Sequence, residues 1–516
     1  MTQRALQLPL LAAMLTLAPV SAHAEVTLLI EEAVGGAGEF TGSGHSALYF
    51  SGICAETPTK LRICKPGEEG VVLSTYPDLG TVKRYKWIAL PLTAFLYGVD
   101  SRENIPLYGN GKVRRYLREE YRKQNLSSLV LASADGKIPP GRWSEMLGTT
   151  INRDVYALTV KTTPEQDAKF LSDFEKLPNV NDFSTTYNNC ADFARDTLNL
   201  VFPNATHRDV LNDFTMTTPK AIARTFTRYA TSRPALQFRI DKYSQIDGAI
   251  RRSLNNRSFT EKAIVSKKYF LTMAFTMPEL IPIMGLTYLT TGWYNLDPQY
   301  KKHASGVIAD SNIQSAPIKF LGAGNYVLDP PALESSRRET YRDSELRKDQ
   351  FRKIQFGAEE VWNDYRKQFE PMLARAVEQG LFIDEAEVKT FFKDLELQSE
   401  PGSDPDGRLV LTVDDRGSKE TVGITRSNIK ATHSSRRLGY KIMLAKVNAV
   451  LHAPSRNRPS RPEFEQDWQL LQELSKDVPA YTFAGEDRNS VPRFRQTREV
   501  VSNKKKSQKL LMTITH

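Results

Sequence analysis

The segment Tyr187-Asn188-Asn189-Cys190-Ala191-Asp192-Phe193-Ala194 decides how the fold is interpreted. Asparagine is a favoured N-cap, so Asn188 or Asn189 predicts a helix that starts near Cys190. The positions four, seven, eight and eleven residues after the cysteine are mostly apolar: Ala194, Thr197, Leu198 and Val201. Cys190 shares this helical stripe, which predicts that its thiol points toward the core from the first turn.

The chain has three cysteines, Cys54, Cys64 and Cys190. Cys54 and Cys64 flank a predicted turn at Thr57-Pro58-Thr59, which favours a disulfide across a hairpin. Their spacing is not that of a zinc knuckle and no nearby histidine completes a ligand set, so we expect no metal site. Cys190 is left unpaired. It is either a small buried hydrophobic residue or a nucleophile, because helix-terminal N–H groups favour a thiolate and can face an oxyanion. On the second interpretation the pKa of Cys190 is lowered toward neutrality.

A histidine far upstream is the candidate base. His45 follows Gly42-Ser43-Gly44 and opens a predicted strand, Ser46 to Phe50. Alternation along that strand places His45, Ala47 and Tyr49 on one face. A strand histidine can equally be structural, so the position alone leaves both roles open.

Two short motifs together resemble a known group of proteins. The stretch Ser43-Gly44-His45-Ser46-Ala47-Leu48-Tyr49 and the stretch Asn188-Asn189-Cys190-Ala191-Asp192-Phe193 are similar to the histidine and Asn-Cys motifs of the circularly permuted papain-like clan. That clan includes permuted NlpC-type peptidases, relatives of lecithin:retinol acyltransferase, and Lnb-type lipoprotein transacylases. Histidine precedes cysteine here, the reverse of the ordinary papain-like order, as permutation produces. The resemblance covers roughly residues 25 to 230.

The resemblance implies roles for particular residues. Cys190 would be the nucleophile and His45 the general base, and a thioacyl intermediate would pass to water or to an amine or hydroxyl acceptor. Tyr187, Asn188 and Asn189 would support the oxyanion or cap the helix, although Tyr187 can also simply pack. The clan usually has a third polar residue that orients the histidine. The following strands offer Ser74, Thr75 and Lys86, and the sequence identifies none of them as that residue.

The N-terminus predicts export. Arg4, an apolar stretch from Leu6 to Val20 and the small-x-small site Ala22-His23-Ala24 are typical of a signal peptide over residues 1–24. An uncleaved membrane anchor is the alternative, but the apolar stretch is shorter than the ~20 residues of a span. We therefore expect a periplasmic or secreted protein that can associate with the membrane, in a compartment where disulfides persist.

Charge and composition limit the partners. The net charge of +10 arises from 70 basic and 60 acidic residues, and much of the excess lies near the C-terminus, around Arg493, Arg495, Arg498 and Lys504-Lys505-Lys506. For an exported chain, anionic lipids, cell-wall polymers or a solvated tail explain this charge better than nucleic acid, which we do not expect as a partner.

The pattern of elements predicts an α+β fold. The resemblance implies that residues 25–233 form a permuted papain-like domain, with an antiparallel sheet packed on helices. Residues 234–330 form an apolar helical linking or membrane-proximal region; its run Phe270 to Thr291 contains Pro278, Glu279 and Pro282, which favours a buried or membrane-surface hairpin over a span. Residues 331–516 form a charged, mostly helical domain with a basic tail and a small hairpin at Leu409 to Val413 and Thr421 to Thr425. The segment 399–407 between helix and hairpin is a predicted linker or turn.

These observations lead to two functional hypotheses. The first is an exported cell-envelope cysteine hydrolase or acyltransferase that acts on an amide or ester of a peptidoglycan peptide, a lipoprotein or a lipid acyl group, with no cofactor and with possible membrane-surface contact. The second is a non-catalytic envelope scaffold or binding protein that retains the papain-like domain.

Overall fold

The computed structural model describes residues 24–34, 43–133, 139–213, 216–265, 267–291, 294–304, 342–378, 384–415, 418–453, 458–459, 461–476, 481–486 and 492–496. The predicted signal peptide up to residue 23 and the basic residues beyond Gln496 lie outside the described residues. Ala24, the predicted last residue of the signal peptide, is the first residue of the first strand.

The strands of the described chain are β1 (Ala24–Glu31), β2 (His45–Phe50), β3 (Ile53–Thr57), β4 (Lys60–Ile63), β5 (Val71–Thr75), β6 (Trp87–Pro91), β7 (Val155–Thr162), β8 (Arg239–Tyr243), β9 (Ser399–Ser403), β10 (Leu409–Asp415), β11 (Ser418–Gly423), β12 (Tyr481–Glu486) and β13 (Pro492–Gln496). The α-helices are α1 (Leu92–Tyr97), α2 (Gly111–Tyr121), α3 (Pro164–Phe174), α4 (Cys190–Val201), α5 (Val210–Asp213), α6 (Pro219–Thr231), α7 (Phe259–Val265), α8 (Lys267–Thr276), α9 (Leu280–Thr291), α10 (Leu296–His303), α11 (Arg342–Glu378), α12 (Glu385–Gln398), α13 (His433–His452) and α14 (Arg461–Lys476).

Six strands form an antiparallel sheet in the order β6-β5-β2-β1-β7-β8. The predicted α+β class with an antiparallel sheet is therefore confirmed. The sheet extends past residue 233, the predicted end of the first domain, because β8 pairs with β7 and buries Ile240 in the same core. An edge strand of only five residues with one apolar core position is a weak sequence signal, so its membership in the sheet was not predicted.

Helices cover both faces of the sheet. On one face, α3, α4 and α6 bury a core with the sheet residues Val26, Leu28, Ile30, Leu48, Phe50 and Leu158. On the other face, α1 packs on Leu29, Ala47, Tyr49, Val72 and Ala157. Strand β2 thus sends alternate side chains to opposite layers, as the pleat of a strand requires. This alternation decides where the candidate site residues lie.

The C-terminal elements share a core with the N-terminal half. Val113 and Leu117 of α2 belong to the same buried cluster as Phe391 of α12, Leu411 of β10 and Leu444 of α13. The predicted hairpin is confirmed by β10 and β11, which pair antiparallel. The predicted linker is wrong in its first part, since residues 399–403 form β9 at the edge of that sheet. Pro401 obscured this strand, but an edge strand tolerates proline.

The disulfide between Cys54 and Cys64 joins the β3–β4 hairpin, as predicted. We expect the double variant Cys54→Ser/Cys64→Ser to lower the free energy of unfolding by about 3 kcal/mol, because the bond restricts a short loop of the unfolded chain. Urea denaturation with and without reductant measures this effect. Reductant should lower the stability of the wild type and leave that of the double variant unchanged; equal midpoints for the oxidised wild type and the variant would contradict the prediction.

Candidate active site

Helix α4 starts at Cys190 because Asn189 caps it. The Oδ1 atom of Asn189 accepts hydrogen bonds from the amides of Ala191 (2.9 Å) and Asp192 (3.1 Å). Its Nδ2 atom donates to the carbonyl oxygens of Thr185 and Thr217, both at 3.0 Å. The cap predicted from the sequence is thus present at Asn189, and its side chain is fully used in holding the backbone around the cysteine.

A buried carboxylate reinforces the same turn. Asp192 is fully buried, and its Oδ1 atom accepts hydrogen bonds from Arg195 (2.6 Å), Thr217 (2.5 Å) and Arg208 (3.1 Å). Its Oδ2 atom also accepts from the amide of Asn189 at 3.4 Å, which completes a capping box. The first turn of α4 is therefore fixed by charge as well as by its cap.

The thiol of Cys190 lies on the sheet-facing side of α4 and is partly buried. Burial raises its pKa to about 11, although the amide and hydroxyl of Ser46 and the amide of Ala191 face the sulfur and act in the opposite direction. The predicted lowering of this pKa is therefore wrong for the resting structure. The N–H groups at the helix start do favour the thiolate, but the loss of hydration outweighs them.

His45 is held by strand β5. Its Nε2 atom and the Ser74 hydroxyl are 2.7 Å apart, and its ring stacks on Tyr76 with centroids separated by 4.2 Å. Burial, and then the positive charge of Arg153, lower the pKa of His45 well below its usual value, so the ring is neutral. Ser74 thus contacts the histidine as an orienting residue would. The sequence predicted that Ser74 lies on a strand after β2, but it did not distinguish Ser74 from the other candidates for the residue that orients His45. The pairing of β2 with β5, in which Leu48 lies opposite Leu73, brings Ser74 to the histidine.

His45 and Ser46 are consecutive and point to different layers. Ser46 faces the thiol on the α4 side, whereas Tyr76, on which His45 stacks, packs with Ile88, Leu90 and Trp143 in the opposite layer. Among the hydrogen bonds of the described residues, that of His45 goes to Ser74 and none joins it to Cys190. The structure therefore brings Cys190 to Ser46, and His45 to Ser74 and Tyr76.

A buried glutamate lies beside the histidine. Glu31 is fully buried and lies directly opposite His45 in the pairing of β1 with β2. Its Oε2 atom is 3.2 Å from the Nη1 atom of Arg153. Burial raises the pKa of Glu31 to about 7. This burial could not be predicted from the sequence, because a glutamate at the end of an apolar strand normally reaches solvent.

The other two predicted support residues, Tyr187 and Asn188, contact side chains other than Cys190. Tyr187 is 62% exposed, with the Arg208 guanidinium 5.9 Å from its ring centroid. The Nδ2 atom of Asn188 donates to Asp182 at 2.8 Å. Both residues order the loop before α4.

The β3–β4 hairpin holds a group of side chains of the kinds that bind metal ions. Glu68 lies close to Cys54 and Cys64, but those two sulfurs form the disulfide and are not thiolate ligands.

The raised pKa of Cys190 predicts a pH profile for its alkylation. The thiolate reacts and the thiol does not, so the rate with iodoacetamide should rise about tenfold per pH unit above pH 7 and level off only near pH 11. Mass spectrometry of the peptide that contains Cys190 measures the rate, and Cys190→Ser provides the blank. A plateau near pH 7 would instead indicate a preformed thiolate.

Comparison with known proteins finds no match to this chain among family models, curated proteins or solved structures. Functional inference therefore depends on the site itself.

Proposed function

We propose that this chain is a cysteine-dependent hydrolase or acyltransferase of the cell envelope, acting on an amide or ester. The observation that supports this proposal most is the position of Cys190. It is the first residue of a helix whose N-terminus is held by a capping box, and the backbone amides of Ser46 and Ala191 face its sulfur. This arrangement provides a nucleophile and hydrogen-bond donors at one point.

The reaction would proceed through a thioester. A base removes the S–H proton, the sulfur attacks the carbonyl carbon, and the leaving amine or alcohol departs with a proton. Water or an acceptor amine or hydroxyl then attacks the thioester and releases the thiol. The amide and the buried hydroxyl of Ser46, which face the sulfur, are suited to donate to the oxyanion.

His45 would be the base, oriented by Ser74. Because Nε2 faces the Ser74 hydroxyl, Nδ1 is the ring nitrogen left to accept the proton. The resting thiol and imidazole are both neutral, and no hydrogen bond joins them among the described residues, so the proton would pass to the ring only when the substrate is bound. Catalytic hydrogen bonds that tighten only in the substrate complex are common in enzymes.

The alternative is a scaffold that retains the domain for binding. The raised pKa of the thiol, and the lack of a hydrogen bond between thiol and imidazole among the described residues, favour this second function, because they describe a resting state without a thiolate. Under both hypotheses the partner is an envelope lipid, a lipoprotein or a peptidoglycan peptide.

Trapping of the thioester distinguishes the two functions. The purified chain is incubated with aryl esters of acetate and of a long-chain fatty acid, then digested and analysed by mass spectrometry. The enzyme should carry an acyl group on the Cys190 peptide that hydroxylamine removes, and His45→Gln should form it at least about 100-fold more slowly. Absence of any adduct with both esters at pH 7 to 9 would favour the scaffold.

A further inference from the structure

The helical pair α8 and α9 carries an unusual share of exposed apolar side chains. Seven of the large hydrophobic residues that are exposed in the described chain lie between residues 259 and 289: Phe259, Leu271, Phe275, Met277, Ile283, Leu286 and Leu289. Phe275 is 86% exposed and Leu286 is 65% exposed. Soluble surfaces seldom concentrate apolar side chains in this way without a partner.

The pattern within each helix separates an inner face from an outer face. In α9, Met284 and Thr287 are buried, whereas Ile283, Leu286 and Leu289 follow one another at helical spacing on the exposed side. In α8, Leu271 and Phe275 are four residues apart and both exposed. The hairpin is thus anchored to the protein through one side, and α9 packs on α5 and α7. The exposed positions of both helices include large apolar side chains, which in α8 stand beside Thr272 and Thr276.

Helices α8 and α9 are each too short to cross a bilayer, and their lengths match the thickness of one leaflet. The 10 residues of α8 and the 12 of α9 extend about 15 and 18 Å. The hydrocarbon core of a bilayer is about 30 Å thick. No helix among the described residues is long and apolar enough to cross it. The exposed acid Glu279, in the turn between the helices, would be costly in hydrocarbon, so the turn fits the headgroup layer.

The charge of the sequence around the hairpin indicates which kind of partner binds its exposed apolar side chains. Between residues 257 and 303 the chain has six basic residues, Arg257, Lys262, Lys267, Lys268, Lys301 and Lys302, and three acidic ones. Two of the acids are engaged within the protein: Glu261 pairs with Lys220, and Asp297 accepts a hydrogen bond from Tyr156. This excess of basic residues in the sequence around the hairpin complements an anionic lipid surface, whereas a second copy of the same basic segment would be repelled.

We propose that the α8–α9 hairpin docks the protein on the surface of an anionic phospholipid bilayer, with Leu271, Phe275, Ile283, Leu286 and Leu289 entering one leaflet. This inference goes beyond the proposed thiol chemistry and does not depend on it.

Vesicle cosedimentation tests the proposal with the chain that begins at Ala24, which keeps every residue of the described fold. The wild type should sediment with phosphatidylglycerol–phosphatidylethanolamine vesicles, bind phosphatidylcholine vesicles much less, and be released by high salt. The triple variant Phe275→Ser/Leu286→Ser/Leu289→Ser should bind anionic vesicles at least about tenfold more weakly. The matched control Val82→Ser/Val180→Ser/Leu397→Ser, which alters equally exposed apolar side chains elsewhere, should bind like the wild type.

Three outcomes would overturn the proposal. They are a wild type that ignores anionic vesicles, a hairpin variant that binds as well as the wild type, and a wild-type dimer that the hairpin variant converts to a monomer without any vesicle binding. Cys190→Ala should retain full vesicle binding. Loss of thioester formation and loss of docking are thereby measured separately.

Discussion

Replacing Cys190 by serine should lower the rate of acyl transfer by at least about 10³-fold. A serine hydroxyl at this position has a far higher pKa than a thiol, and burial, which already raises the pKa of Cys190 to about 11, would disfavour its alkoxide further. The amides of Ser46 and Ala191 would still face the reacting carbonyl, but without a nucleophile no covalent intermediate forms. The rate of aryl-ester turnover and the mass of the Cys190 peptide both report this loss.

The matched control for this variant is Ser74→Ala. Removal of that hydroxyl leaves the nucleophile intact and withdraws the hydrogen bond of Ser74 to His45, so we expect a smaller loss, of about tenfold, with a shifted pH profile. Thermal unfolding should show that both variants keep the fold. Wild-type turnover in Cys190→Ser would show that another group performs the chemistry.

Local features of the site could be predicted from the sequence. The start of α4 follows from an asparagine cap and an apolar stripe, both encoded within twelve residues. Strand β2 follows from its position after a glycine-rich stretch and from its apolar residues. The disulfide follows from a short spacing around a turn. Each of these depends on neighbours in the chain, where the rules of capping and turns apply directly.

Features that depend on distant partners could not be predicted. Ser74 contacts His45 across 29 positions of sequence, and Glu31 lies opposite His45 through strand register. The pKa of Cys190 depends on how deeply α4 packs against β2, which sets the loss of hydration. The sequence indicates the N–H groups that favour a thiolate, but the depth of burial that opposes them is a property of the assembled layers.

Asp192 connects the local cap to this tertiary arrangement. It is the third residue of α4, and its carboxylate joins the amide of Asn189, the hydroxyl of Thr217 and the guanidinium groups of Arg195 and Arg208. The residues after the helix are thereby tied to its start, where the thiol lies. The side chains of Arg195 and Arg208 are 15% and 30% exposed, so part of their charge can be hydrated when the carboxylate is removed.

We therefore expect Asp192→Ala to lower the free energy of unfolding by about 3 kcal/mol, the low end of the cost of breaking a buried ion pair. The neighbouring variant Asp196→Ala is the matched control. It removes a carboxylate from the same helix that is 59% exposed and pairs with Arg195 alone, so its cost should be below about 1 kcal/mol. Urea denaturation of both variants measures the difference. Because the first turn of α4 loosens in Asp192→Ala, alkylation of Cys190 at pH 8 should also become faster, whereas Asp196→Ala should react like the wild type. Equal stability of the two variants would show that the cap of Asn189 fixes the cysteine without the carboxylate.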